Sequence, residues 1–179
     1  MEKATNSLKS FAVTGPESTG KSTLAAGLAE HYSTIYLPEF ARGYLTENGP
    51  EYSYETVVFI AEQQLLKQRE LFAKGISPCF FDTDLLVCRI WLEFVFGKCP
   101  AHIIHESINP VFTHTFLMNI DLPWQDDPLR EHPAQRKELF DMYYRVLDQS
   151  EREFSIISGS GNERLENAIV KIEELLKIN

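Results

Sequence analysis

Residues Gly15-Pro16-Glu17-Ser18-Thr19-Gly20-Lys21-Ser22 follow the pattern G-x-x-x-x-G-K-S, between the apolar run "SFAVT" (10–14) and a helical pattern. That spacing suits a polyphosphate. Glycines let the backbone turn so that successive N–H groups point inward as an anion nest. The helix that follows adds positive partial charge at its N-terminus. Lys21 then reaches the β- and γ-phosphates, and the Ser22 hydroxyl ligates Mg²⁺. On this reading Gly15, Glu17, Ser18, Thr19, Gly20, Lys21, Ser22 and Thr23 hold ATP. Glu17 is the odd member, because a carboxylate inside the nest would repel phosphate. It is expected to point outward, toward a cation or the hydroxyls of an acceptor.

Passing that phosphate on requires the metal's charge to be balanced and an attacking hydroxyl to be oriented or deprotonated. "CFFDTD" places Asp82 at the end of an apolar run, where it can face the metal, with Asp84 two residues on. Asp84 either joins the substrate side or caps the next helix. "YLPEFAR" supplies Glu39, a candidate general base, and Arg42, which fixes it or a phosphate, unless the two form a surface ion pair. Gln64 and Gln68 can read a carboxamide or base edge, or simply face solvent. Trp124, after Pro123, is placed to stack on an acceptor or pack on a lid, whereas Trp91 reads as core. In "DDPLREHPAQR", Arg130 and Arg136 can close over a triphosphate as part of a lid spanning about 124–137, or stay solvated.

The elements that must position these groups alternate. Short apolar segments at "SFAVT", "STIYLPEF" (stopped by Pro38), "SPCFFDTD", "HTFLMNIDLP" and "FSIISG" read as five strands. Between them lie helical patterns. The strongest, "ETVVFIAEQQLLKQRELFAKG", carries Val58, Ala61, Leu65 and Phe72 on one face and Gly75 at its end. "LLVCRIWLEFVFG", a shorter stretch near 102–109, residues 136–149 and residues 162–177 supply further helices. This order predicts an α/β fold, a five-stranded parallel sheet covered by helices on both faces, in one domain. Ligands of such sheets bind at the carboxyl ends of the strands, where Gly15, Glu39, Asp82 and Asp121 gather.

Composition narrows the partners. The 179 residues carry a net charge of −9 spread along the chain, which speaks against nucleic-acid binding as the main task. Cys79, Cys88 and Cys99 match neither a disulfide framework nor a zinc site and suit a reducing cytoplasm. The polar start "MEKATNSLKS" lacks a signal-peptide core, and the longest apolar run is broken by Arg89 and Glu93, so no membrane association is expected. The H-x-x-H pair His102/His105 lacks the companions of a metal site.

Taken together, "GPESTGKSTLA", "PEFAR", "FFDTDLLVCRIW", "IDLPWQDDPLR" and "SGSGNERLENAI" resemble the ribosylnicotinamide kinase domain of the NadR-type proteins, a P-loop NTPase fold, across about residues 9–175. The resemblance implies transfer of the ATP γ-phosphate to the 5′-hydroxyl of nicotinamide riboside, giving nicotinamide mononucleotide. It implies that Lys21 and Ser22 hold ATP and Mg²⁺, that Glu39 and Asp82 are the acids at the acceptor hydroxyl and the metal, and that Arg130 and Arg136 belong to the lid. "PEF" also resembles deoxynucleoside kinases, where such a glutamate is the base. Two departures stand out. Only a short segment precedes the first strand, so the adenylyltransferase of the two-domain relatives is expected to be absent. A tryptophan that stacks on the pyridine in the family falls near Pro38, so its task would pass to Tyr36, Phe40 or Tyr44, or be lost. Kinases of another nucleoside or small alcohol, and a nucleotide-responsive regulatory ATPase, remain the other readings.

Overall fold

The computed structural model describes residues 8–109 and 111–177. Its strands are β1 (Ser10–Thr14), β2 (Tyr36–Leu37), β3 (Cys79–Asp82), β4 (His114–Met118) and β5 (Phe154–Ile157). All pair in parallel, in the order β2-β3-β1-β4-β5. Its helices are α1 (Lys21–His31), α2 (Phe40–Asn48), α3 (Tyr54–Ala73), α4 (Leu85–Phe96), α5 (Ala101–Ile108), α6 (Arg136–Asp148) and α7 (Asn162–Lys177).

Strand periodicity sorts the core into two layers. Phe11, Val13, Phe80, Phe116 and Met118 point to one face and meet Leu24, Leu28, Ala168 and Ile172 of α1 and α7. Leu117 points to the other, against Leu86 and Ile90 of α4 and Leu139 and Leu147 of α6. A further cluster joins α3, α4 and α5 through Val57, Ile60, Leu85, Leu92 and Ile103. The α/β sheet with helices on both faces is thus the architecture expected from the residue pattern.

Two details differ from that pattern. The chain turns straight from Pro38-Glu39 into α2, a nine-residue helix held by Ala41 and Leu45, four positions apart on one face. The buried stripe of α3 runs through Val57, Ile60, Ala61, Gln64, Gln68 and Leu71, not through Val58, Leu65 and Phe72, which are only partly covered. Two glutamines therefore lie inside. Ser53 starts this helix: its hydroxyl accepts from the Thr56 N–H (3.2 Å), and the Thr56 hydroxyl accepts from the Ser53 N–H (3.2 Å). Gly75, at φ +66°, follows its end.

Val13 of β1 lies opposite Asp82 of β3 and Phe116 of β4. The carboxyl ends of the three central strands consequently finish level, and the loops after them share one rim.

Candidate active site

The phosphate loop is backbone chemistry. Gly15 sits at φ +132°, and a Cβ there would lie 3.2 Å from the Met118 backbone, so any side chain would be both strained and crowded. Gly20, at φ +82°, turns the chain into the N-terminus of α1. Inside the loop the Thr19 hydroxyl and the Lys21 ammonium both donate to the Pro16 carbonyl at 2.8 Å. Behind it, buried Arg164 ties three strand ends together. Its guanidinium donates to the carbonyls of Thr19 (2.9 Å) and Gly159 (2.8 Å) and pairs with Asp121.

Two carboxylates flank the loop. Asp82 is buried; it accepts from the Ser22 hydroxyl and the Glu39 N–H, while its Oδ1 has no partner among the described residues. Burial pushes its pKa up, opposed by Ser22 and Lys21. Glu39, at the N-cap of α2, is also pushed up by burial; Lys21 opposes this and Asp82 adds to it. Lys21, Ser22, Glu39 and Asp82 therefore form one electrostatic group, as the strand ends require.

These groups border a cavity of about 540 Å³. Gly27, Gly161, Asn162 and Leu165 line it on the α1/α7 side, and Tyr52, Val87, Ile90, Trp91 and Phe94 on the α2/α4 side. The irregular segment between β4 and α6 is tied across it. Ser18 Oγ accepts from the Gln125 N–H (2.8 Å), and Arg130 donates to the Gln125 carbonyl (2.6 Å). Arg42 pairs with Asp127 (3.0 Å) and Tyr52 donates to Glu131. Glu17 accepts from the N–H groups of Glu131 (3.0 Å) and His132 (3.3 Å). The Glu17 carboxylate does point away from the nest, but onto lid backbone rather than a cation.

The structure brings together most of the residues singled out by sequence. Gly15 through Thr23, Glu39, Arg42 and Arg130 line the cavity, with Asp82 directly behind Ser22. Others go elsewhere. Asp84 neither caps α4 through its side chain nor faces the cavity; it forms a buried ion pair with Arg152 (2.5 Å) beside a separate void of about 60 Å³. Gln64 spends its amide on backbone, accepting from the Phe40 N–H (2.9 Å) and donating to the Thr83 carbonyl (3.3 Å). It clamps the Glu39 and Asp82 loops to α3. Arg136 holds the lid root to the loop through the Leu122 (2.8 Å) and Ser18 (3.1 Å) carbonyls, outside the cavity wall. Trp124 donates to Asp126 (2.9 Å) and is not a lining residue; Tyr36, Phe40 and Tyr44 pack into core clusters.

The aromatic wall is instead Tyr52, Trp91, Phe94 and Tyr143, with His132 above. Spacing hinted at part of it, since Val87, Ile90, Trp91 and Phe94 share one face of α4. Tyr52 and Arg164 carried no recognisable signal. Among the described residues no three His, Cys, Asp or Glu side chains gather as a metal group, and no helix is long and apolar enough to cross a membrane.

A five-stranded parallel sheet with this loop after its central strand defines the fold of P-loop nucleoside and nucleotide kinases. The chain belongs to the AAA domain family AAA_28, whose model matches residues 10–164. It is 24% identical over 155 residues to the trifunctional NAD biosynthesis/regulator protein NadR of Escherichia coli strain K12, covering 82% of this chain but 37% of that protein. A crystal structure of NadR protein in complex with NR superposes with a TM-score of 0.75 at 20% identity, covering 94% of this chain and 51% of that one. Thymidylate kinase from Ehrlichia chaffeensis gives 0.67 at 13% identity, covering 94% and 98%. The chain thus spans between a third and about half of the NadR chains it matches.

Proposed function

We propose that the protein is a cytoplasmic, ATP-dependent kinase of nicotinamide riboside, forming nicotinamide mononucleotide. One observation carries this reading: a half-buried carboxylate, Glu39, whose pKa burial raises, lies within electrostatic reach of the phosphate-loop lysine on the wall of one aromatic-lined cavity. The likeness to NadR directs the choice of acceptor.

Lys21 and Arg130 hold the triphosphate, with the loop N–H groups and the α1 N-terminus. Asp82 and Ser22 offer adjacent hard oxygens, one of them an orphaned buried carboxylate oxygen, and so suit Mg²⁺. When bound, that ion neutralises charge on the β- and γ-phosphates. Glu39 takes the proton of the 5′-hydroxyl as that oxygen bonds to the γ-phosphorus and the bond to the bridging oxygen of ADP breaks. A raised pKa makes Glu39 a stronger base than an ordinary surface glutamate once ionised. The acceptor ring lies against Trp91, Tyr52 and Phe94, in place of the family tryptophan.

A nucleoside is favoured over a nucleotide as acceptor. An acceptor phosphate wants unengaged arginines. Among the described residues, Arg42 is paired with Asp127 and Arg164 with Asp121 and backbone, and Arg130 is the one assigned above to the triphosphate, which leaves no lining arginine for an acceptor phosphate.

The test is a panel of nucleosides and nucleoside monophosphates incubated with Mg-ATP and read by mass. Nicotinamide mononucleotide as the main product supports the proposal. Exclusive phosphorylation of another nucleoside would replace the acceptor, and ATP consumption with no phosphorylated acceptor would replace the enzyme class.

A further inference from the structure

The acceptor end has its own charge pattern. Trp91 and Phe94 stand one turn apart on α4; Phe94 meets the lid directly through His132, and Trp91 reaches it through Tyr52. Tyr52 contacts Trp91 edge-on (4.7 Å, 73°); its oxygen accepts from the Trp91 indole N–H while its hydroxyl donates to Glu131. Phe94 meets His132 edge-on (4.9 Å, 73°). Glu131 and His132 are in turn held by their backbone N–H groups on Glu17. The carboxylates Glu17, Glu39 and Glu131 line the same cavity as Trp91 and Tyr52, and Glu131 is bonded directly to Tyr52. Arg42, which also lines the cavity, is paired with Asp127 at 3.0 Å, so its charge there is offset in part.

Ring faces carry negative electrostatic potential, and carboxylates at their margin reinforce it. A neutral base gains stacking alone from such a wall, an anionic one is repelled, and a cationic ring gains both stacking and Coulomb attraction. We infer that this end of the cavity selects a nucleoside whose base ring is positively charged, with Trp91 and Tyr52 against the ring and Glu131 as its counter-charge. The inference rests on the reading above that this end takes the acceptor, and adds the property by which it discriminates. Glu131 is more than lid glue on this account: a neutral glutamine would still bond Tyr52, but would no longer balance a cation.

Two comparisons test it. The first sets kcat/KM for nicotinamide riboside, a pyridinium cation, against its neutral 1,4-dihydro form, which keeps the carboxamide and the ribose. The cation should be favoured about tenfold or more. Glu131→Gln should shrink that ratio at least about threefold, and Trp91→Leu further, with KM for ATP unchanged. The second needs no turnover: calorimetric titration with 1-methylnicotinamide, a cation, and nicotinamide, neutral. Tighter binding of the cation, weakened by Glu131→Gln, is expected. Equal ratios in the wild type, or a ratio untouched by Glu131→Gln, would overturn the inference. Preferential binding of the cation with neither riboside phosphorylated would sustain it while removing the nicotinamide riboside reading.

Discussion

The two ends of the cavity are built by different means. The phosphate end is one continuous run, Gly15 to Thr23, whose function lies in backbone N–H groups and two glycine dihedrals. The acceptor end is assembled from residues of α4, α6, the loop between α2 and α3, and the lid, and its function lies in side chains. On the proposed function, a ligand feature shared by every nucleotide would be met by backbone, and the variable part of the reaction by side chains from scattered segments. Glu39 and Asp82 stand where the two ends meet. Altering the phosphate end should therefore abolish turnover, and altering the acceptor end should redirect or weaken it.

The largest effect is expected for Lys21→Ala, which removes the charge at the β- and γ-phosphates; kcat should drop by about 10³-fold. Turnover near the wild-type level would detach the loop from the chemistry. Glu39→Gln should lower kcat by about 10²–10³-fold while KM for ATP moves little, placing the loss at the junction and not in nucleotide binding. The same variant should be more heat-stable than the parent at neutral pH. Because burial raises the Glu39 pKa, the folded chain keeps its proton over a range where the unfolded chain has lost it, so stability falls as pH rises through that range. The melting-temperature gap between variant and parent should close as pH falls to the ordinary glutamate value. A gap independent of pH would mean the carboxylate is not strained.

Asp84 and Asp82, two residues apart, sharpen the contrast between site and scaffold. Asp84→Asn strands the buried Arg152 charge and should cost about 3–5 kcal/mol of stability, read by denaturant unfolding. Asp82→Asn should instead suppress kcat at little cost in stability. Equal losses of both kinds in both variants would erase the distinction. The smallest effect belongs to Arg42→Ala: its pair with Asp127 is partly exposed and worth less than about 1 kcal/mol. Arg42 also lowers the Glu39 pKa, so the acid limb of kcat/KM should shift to higher pH in this variant. An unmoved limb would show that Glu39 does not titrate in the reaction.

The same division explains what was legible in the sequence. The five strands and the phosphate loop were readable because apolar runs and glycine spacing are local properties. Asp82 and Glu39 were readable because a strand end dictates its edge of the sheet. Gln64 was misjudged as a reader of substrate or a surface residue. Its amide is consumed by two backbone groups brought near only when α3 packs beneath α2 and β3. Trp91 reads as core, and it does pack against the α3/α4/α5 cluster, but its other side also borders the cavity, which the apolar pattern of its helix does not reveal. Arg164 was invisible for the opposite reason: its carbonyl partners come from positions about 5 and 145 residues away, and carbonyls leave no mark in a sequence. α2 is hidden by Pro38 and the brevity of β2, which compress strand, turn and helix start into the five residues from Tyr36 to Phe40.

The most direct measurement follows the phosphate itself. ATP carrying ¹⁸O in the γ-phosphoryl oxygens is incubated with the protein, Mg²⁺ and nicotinamide riboside, and the products are weighed. If Glu39 and Lys21 work at one junction, the labelled phosphoryl group appears as a phosphomonoester on the riboside, joined through the unlabelled 5′-oxygen. Label found only in inorganic phosphate, with the riboside unchanged, would contradict that account.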